Sequence, residues 1–119
     1  MSEFSSVGML QGYLKVLTDR QQMIASNMAN VDTPGYHTKD LDFAAAMRRV
    51  ANQDGAGSNA AFEPASVELA GLPERPDGNN VSVDRESMLL AQTQLQFQLG
   101  VQLVKSQMHM VMSAIKDGN

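Results

Sequence analysis

At each end of the chain, apolar residues recur at alternating steps of three and four. No other feature limits the fold more tightly. In the first stretch Val7, Leu10, Leu14, Leu17, Ile24, Met28 and Val31 keep the rhythm with Gln21 as its one polar member; in the second Leu90, Phe97, Val101, Val104, Met108, Val111 and Ile115 keep it around Gln94. This spacing puts the side chains on one stripe of a helix and is the seam of a coiled coil. Each stripe must be buried, on the other or on another molecule.

The first helix has a legible stop. Thr33 precedes a proline and so disfavours helical dihedrals, while Pro34-Gly35 suits the central positions of a type II turn. The N-terminal coiled-coil segment is therefore 1–31, ending its helix near Asn30 and starting near Glu3 to Val7 with Ser5 or Ser6 as cap. Lys15 and Asp19, four apart on the polar side, form a weak solvated pair on this reading. Asn27 and Asn30 share a face beside the seam; from the residues alone Asn30 helps end the helix and Asn27 is exposed.

Residues 32–83 form the middle segment. Phe43, Met47 and Val50 recur at helical spacing with Asp40 or Asp42 able to cap them, which predicts a short helix at about 42–51. So short a helix is marginal alone and must dock through that stripe. A flexible loop at 52–61 and an extended stretch at 62–83 follow, the latter broken by Pro64, Pro73 and Pro76 and carrying Val67, Leu69 and Leu72 for a small hairpin. Asp77-Gly78-Asn79-Asn80 reads as a tight turn, with Ser82 or Asp84 capping the C-terminal coiled-coil helix, 84–119.

Between Glu86 and Lys105 that helix has no charged residue, yet Gln92, Gln94, Gln96, Gln98 and Gln102 make it too polar for a membrane span. Leu89, Leu95, Leu99 and Leu103 lie off the seam. Neutral polar groups desolvate cheaply, so the helix reads as one enclosed on several sides by other subunits. The same residues fit a glutamine-rich solvated face. Nine methionines against four Phe, two Tyr and no Trp favour adaptable helix contacts over a rigid globular core. The fold class is all-α: two long terminal helices in an antiparallel coiled-coil-like hairpin. In that pairing Leu14 meets Val101, Val7 meets Met108, and the two polar members, Gln21 and Gln94, meet each other. The alternative is that each seam is satisfied on another subunit.

The string Asn27-x-x-Asn30 followed by Val31-Asp32-Thr33-Pro34-Gly35-Tyr36 resembles the N-terminal signature of the bacterial flagellar axial proteins, the rod, hook and hook-associated family. Asp40-Leu41-Asp42-Phe43 after the turn and Asp77-Gly78-Asn79-Asn80-Val81 before the second helix fit the proximal rod within it. The resemblance implies a structural subunit of the basal-body rod in the periplasmic space. Its partners would be itself and other rod proteins, the ring-to-rod junction protein, the membrane-embedded ring, and the flagellar type III export apparatus in transit. It also makes Asn27, Asn30, Asp32, Thr33, Pro34, Gly35, Tyr36, Asn79 and Asn80 family-motif positions, and Asn27 and Asn30 part of a packed, hydrogen-bonded corner. Met1 to Ser6 carry no basic region followed by an apolar run, so no cleavable signal is expected.

A net charge of -4 with no basic patch argues against nucleic acid, and the lack of cysteine removes disulfides, thiolate metal sites and a thiol nucleophile. His37 and His109 lack the spacing of a metal pair, and Asp40 and Asp42 have no nucleophile context. No enzyme, cofactor or small-molecule substrate is expected. A small helical adaptor or chaperone binding a partner helix is the alternative from composition alone.

Overall fold

A computed structural model of the chain describes residues 3–53 and 66–117. Helix α1 spans Glu3–Ala29, strand β1 Lys39–Leu41, helix α2 Phe43–Gln53, strand β2 Ser66–Glu68 and helix α3 Val83–Asp117. Positions 5 and 6 thus lie within α1, which starts at Glu3, rather than ahead of it. Ordinary caps start the later helices: Asp42 Oδ1 accepts the Ala45 N–H at 3.1 Å and Ser82 Oγ the Arg85 N–H at 3.2 Å. With helices of 27 and 35 residues, about 40 and 52 Å long, the molecule measures 68 × 27 × 20 Å. Its radius of gyration is 18.0 Å against about 13.5 Å for a compact chain of this length.

The terminal helices pack antiparallel. Leu14 and Tyr13 lie against Gly100, and Asn27 reaches Glu86, within one or two residues of the expected register. The line that α3 buries is rotated from the predicted seam, however. Leu90, Phe97, Val104 and Val111 face inward as expected, but Glu86, Thr93 and Gly100 complete the buried line and Gln94 is exposed; Met108 and Ile115 are exposed too, where α3 reaches and passes the start of α1. The cause is fit. Gly100 has no side chain where Leu14 presses in, and a Cβ there would sit 2.6 Å from Leu14 Cδ2. Thr93 satisfies its hydroxyl on the Leu89 carbonyl at 2.7 Å, so it enters the interface without an unmade hydrogen bond. The expected Gln21–Gln94 layer does not form.

On another face of α1, Val16, Leu41 and Ala46 form a small core with Met23, Phe43, Met47 and Val50 around it, as the α2 stripe requires. Tyr13 meets the Phe43 ring edge to face at 5.9 Å. Asp19, expected as solvated decoration, is buried and holds Lys15 at 2.7 Å. The strands pair antiparallel, Asp40 opposite Val67, so the extended segment closes on the residues after the turn and the hairpin expected within 62–76 is replaced. Most of the predicted 52–61 loop lies outside the described residues.

Gly12 on α1 touches α2: a Cβ would lie 2.3 Å from Val50 Cγ1 and 3.2 Å from its Cβ. Valine cannot swing aside as a leucine tip can. We predict that Gly12→Ala costs about 1–3 kcal/mol despite better helix propensity, and that Val50→Ala in the same chain recovers much of it. Urea unfolding of the two single variants and the double variant, followed by circular dichroism, measures the coupling.

Candidate functional site

Four asparagines from two distant segments form a corner where α1 ends and α3 begins. At the end of α1, the Asn30 side-chain amide donates to the Ser26 carbonyl at 2.8 Å, beside the Asn30 backbone N–H that the same oxygen accepts at 3.1 Å. Thr33–Tyr36 is then a type II turn: Tyr36 N–H donates to Thr33 O at 3.2 Å and Gly35 has φ 74°. The chain returns through a second turn, Arg75–Asn79, in which Gly78 (φ 84°) packs so near Gly35 that a Cβ on it would meet Gly35 Cα at 3.4 Å. Gly35 N–H donates to Asp77 O at 2.8 Å, and Arg75 bonds the Val31 carbonyl.

Asn79, fully buried, ties the two turns. Its Nδ2 donates to Asn30 O at 2.9 Å and Thr33 O at 2.8 Å, while Oδ1 accepts Val81 N–H at 2.8 Å. Asn80 enters the strand pair from its end: Oδ1 accepts Thr38 N–H at 2.6 Å and Nδ2 reaches Leu69 O at 3.5 Å.

Asn27, 1% exposed, takes the place of a third strand. Nδ2 donates to Lys39 O at 2.7 Å and Oδ1 accepts Lys39 N–H at 3.1 Å, so β1 is bonded along both edges. The remaining capacity of the amide goes to Glu86 Oε2 at 3.2 Å and Tyr36 Oη at 2.9 Å, completing two donors and two acceptors. Of the open readings of Asn27, the packed corner is the one that forms.

Behind it sits a charge network that sequence reasoning missed. Glu86 is fully buried and accepts from Arg85 at 2.9 Å; Arg85 also lies 3.8 Å from Asp40, which Arg20 grips through two nitrogens at 3.2 and 3.1 Å. Asp40 reads in the sequence as a cap and Glu86 as a first-turn acid favoured by the helix dipole. Nothing in their spacing links them to Arg20. Of the other motif positions, Asp32, Thr33, Pro34 and Gly35 are exposed and Tyr36 is half-buried. Along the first seam Leu17 and Ile24 are buried, and Leu10, Leu14, Gln21, Met28 and Val31 are partly so.

The second feature of the surface is apolar. Met88, Leu95, Leu99, Leu103 and Met110 stand 50–63% exposed along α3. A long hairpin locked at a polar corner, with one helix left uncovered, defines an elongated all-α structural subunit. A family model described as flagella basal body rod protein matches residues 14–37, the end of α1 through the Pro34-Gly35 turn. The flagellar basal body rod protein FlgB of Salmonella typhimurium is 32% identical, with 92% of this chain and 91% of that relative aligned. FlgB of Escherichia coli is 31% identical over the same shares, and FlgB of Yersinia enterocolitica 32% over 91% of each. The chain belongs to the FlgB family of flagellar basal-body rod proteins and is a structural subunit of that rod.

Asn79 offers a direct test of the corner. Replacing it with Ala takes from the buried Val81 N–H its acceptor and from the Asn30 and Thr33 carbonyls the side-chain donor that ties the two turns, and lowers stability by on the order of 2 kcal/mol. Asn79→Asp, nearly the same shape, turns acceptors toward those two carbonyls and is expected to be worse than Ala. Unfolding midpoints of the two variants rank them.

Proposed function

We propose that this rod subunit polymerises with itself and sister rod proteins through faces of its terminal helices that a single chain leaves uncovered. Under this reading it lies in the periplasmic space after passing through the flagellar type III export apparatus without cleavage. The ring-to-rod junction protein and the membrane-embedded ring are its neighbours at the base. The observation that carries the proposal is the row of exposed leucines and methionines on α3, within a stretch free of charge from Ser87 to Val104. Fully burying a leucine gains about 1.5–3 kcal/mol, so a lone hairpin forgoes several kcal/mol that neighbours can supply. No helix among the described residues is long and apolar enough to cross a membrane.

An adaptor or chaperone would be absent from the finished structure, which gives the test. Intact basal bodies purified from cells carrying a tagged copy are expected to retain the chain after high-salt washing, and a deletion strain is expected to be non-motile with no rod. Normal motility after deletion, or basal bodies that lack the chain, would overturn the proposal.

A further inference from the structure

The last turns of α3 carry side chains that neither the corner nor the leucine row absorbs. The pairings of Leu14 with Gly100 and of Asn27 with Glu86 put Glu3, the start of α1, opposite about position 110. From there α3 continues to Asp117. Where it passes the start of α1, three methionines and a histidine fall within five residues, Met108-His109-Met110-Val111-Met112. Val111 turns inward and is buried, whereas the methionines are 45–65% exposed and His109 is exposed with them. His109 makes no hydrogen bond or ion pair among the described residues.

Helical spacing sorts these residues into two groups. With Met108 at 0°, Met112 lies about 40° round the helix and His109 about 100°, while Met110 lies at about 200°, on another side. Met108 and Met112, four apart, have Cβ atoms about 5–6 Å from each other. His109 and Met112, three apart, line one groove with Lys116. Side chains on a helix lean toward its N-terminus, so Met112 reaches back over the turn that carries Met108 and His109. Two flexible thioethers and one unpartnered imidazole therefore share a single patch.

That donor set is soft. Thioether sulfur and imidazole nitrogen suit monovalent copper, whereas Mg²⁺, Ca²⁺ and Mn²⁺ are held by carboxylate, carbonyl and water oxygen. The chain has no cysteine, and among the described residues no group of His, Asp and Glu could hold a metal ion, which leaves methionine as the soft donor. Charge selects in the same sense. Lys105 and Lys116, at about 60° and 80°, stand one turn before and one turn after the three donors, and no acid of α3 shares their arc. Coulomb repulsion from these lysines is twice as large for Zn²⁺ or Cu²⁺ as for Cu(I).

We propose that Met108, His109 and Met112 form a binding site for one Cu(I) ion near the C-terminal end of α3. The site belongs to the single chain and does not rest on how the rod is built. Leucine fills nearly the same volume as methionine and serves an apolar contact equally well, so Met→Leu exchanges remove the sulfur donor and keep the apolar surface.

The purified full-length chain, dilute and free of oxygen, is titrated with Cu(I) kept soluble by acetonitrile and reduced by ascorbate, and its methionine methyl groups are followed by NMR. The methyl signals of Met108 and Met112 and the ring signals of His109 are expected to shift together and saturate with one copper bound per chain, while those of Met88 and Met110 stay in place. Met108→Leu, Met112→Leu and His109→Ala are each expected to weaken binding at least tenfold, with circular dichroism unchanged. Met110→Leu, the same exchange on another side of the helix, is expected to change it less than twofold. An equimolar amount of Zn²⁺ is expected to leave the copper-shifted signals where they are. No shift on adding Cu(I), shifts confined to other methionines, or a loss with Met110→Leu equal to that with Met112→Leu would overturn the proposal. So would unchanged affinity when Met108→Leu and Met112→Leu are combined.

Discussion

An asparagine amide buried inside a helical hairpin is tolerable only when all its donors and acceptors are met, and Asn27 meets all four. Its partners come from the turn after α1, from β1 and from the first turn of α3, so the amide is satisfied only if those three pieces are in place together. Asn79 imposes the same condition from the other end of the sequence by holding Asn30 and Thr33. Neither residue adds much attraction beyond what water would give. Both make every other arrangement costly, because a half-satisfied buried network is worse than none.

From that corner the two long helices run out in one fixed register. Gly100 and Thr93 then decide which side of α3 faces α1, since one leaves room for Leu14 and the other carries its own hydrogen bond. Turning the helix to suit them moves Gln94 outward, and Leu95, Leu99 and Leu103 lie further round still, while Met108 and Ile115, on the azimuth of Leu90 and Phe97, are exposed where α3 reaches and passes the start of α1. An apolar surface of this kind is a liability on a free monomer and a resource in a polymer. Corner and uncovered face are thus successive consequences of one packing choice.

Much of this was legible in the residues. The seam period gave both helices, the proline and glycine gave the turn, and Phe43, Met47 and Val50 gave the docked middle helix. The rotation of α3 was not legible, because a heptad of leucines and valines looks the same whether the position beside it is glutamine or glycine. Only the partner surface, Leu14 pressing on Gly100, distinguishes them. The strand pair escaped notice because Lys39–Leu41 is three residues long and one of its edges is bonded by a side chain. The motif asparagines could be picked out by their resemblance, yet their geometry required bringing residue 27 beside residue 86, and local spacing carries no such information.

If the corner sets the hairpin, damage there should be felt at its far end. Nitroxide labels on cysteines at Gln11 and Gln102, exposed positions on α1 and α3 remote from the asparagines, report the separation of the helices by pulsed electron paramagnetic resonance in dilute, unassembled chains. The account predicts one narrow distance in the otherwise unaltered chain and a broad distribution when Asn79→Ala is added. A distribution equally narrow and centred at the same distance in both would show that the helices find their register without the corner, and would contradict it.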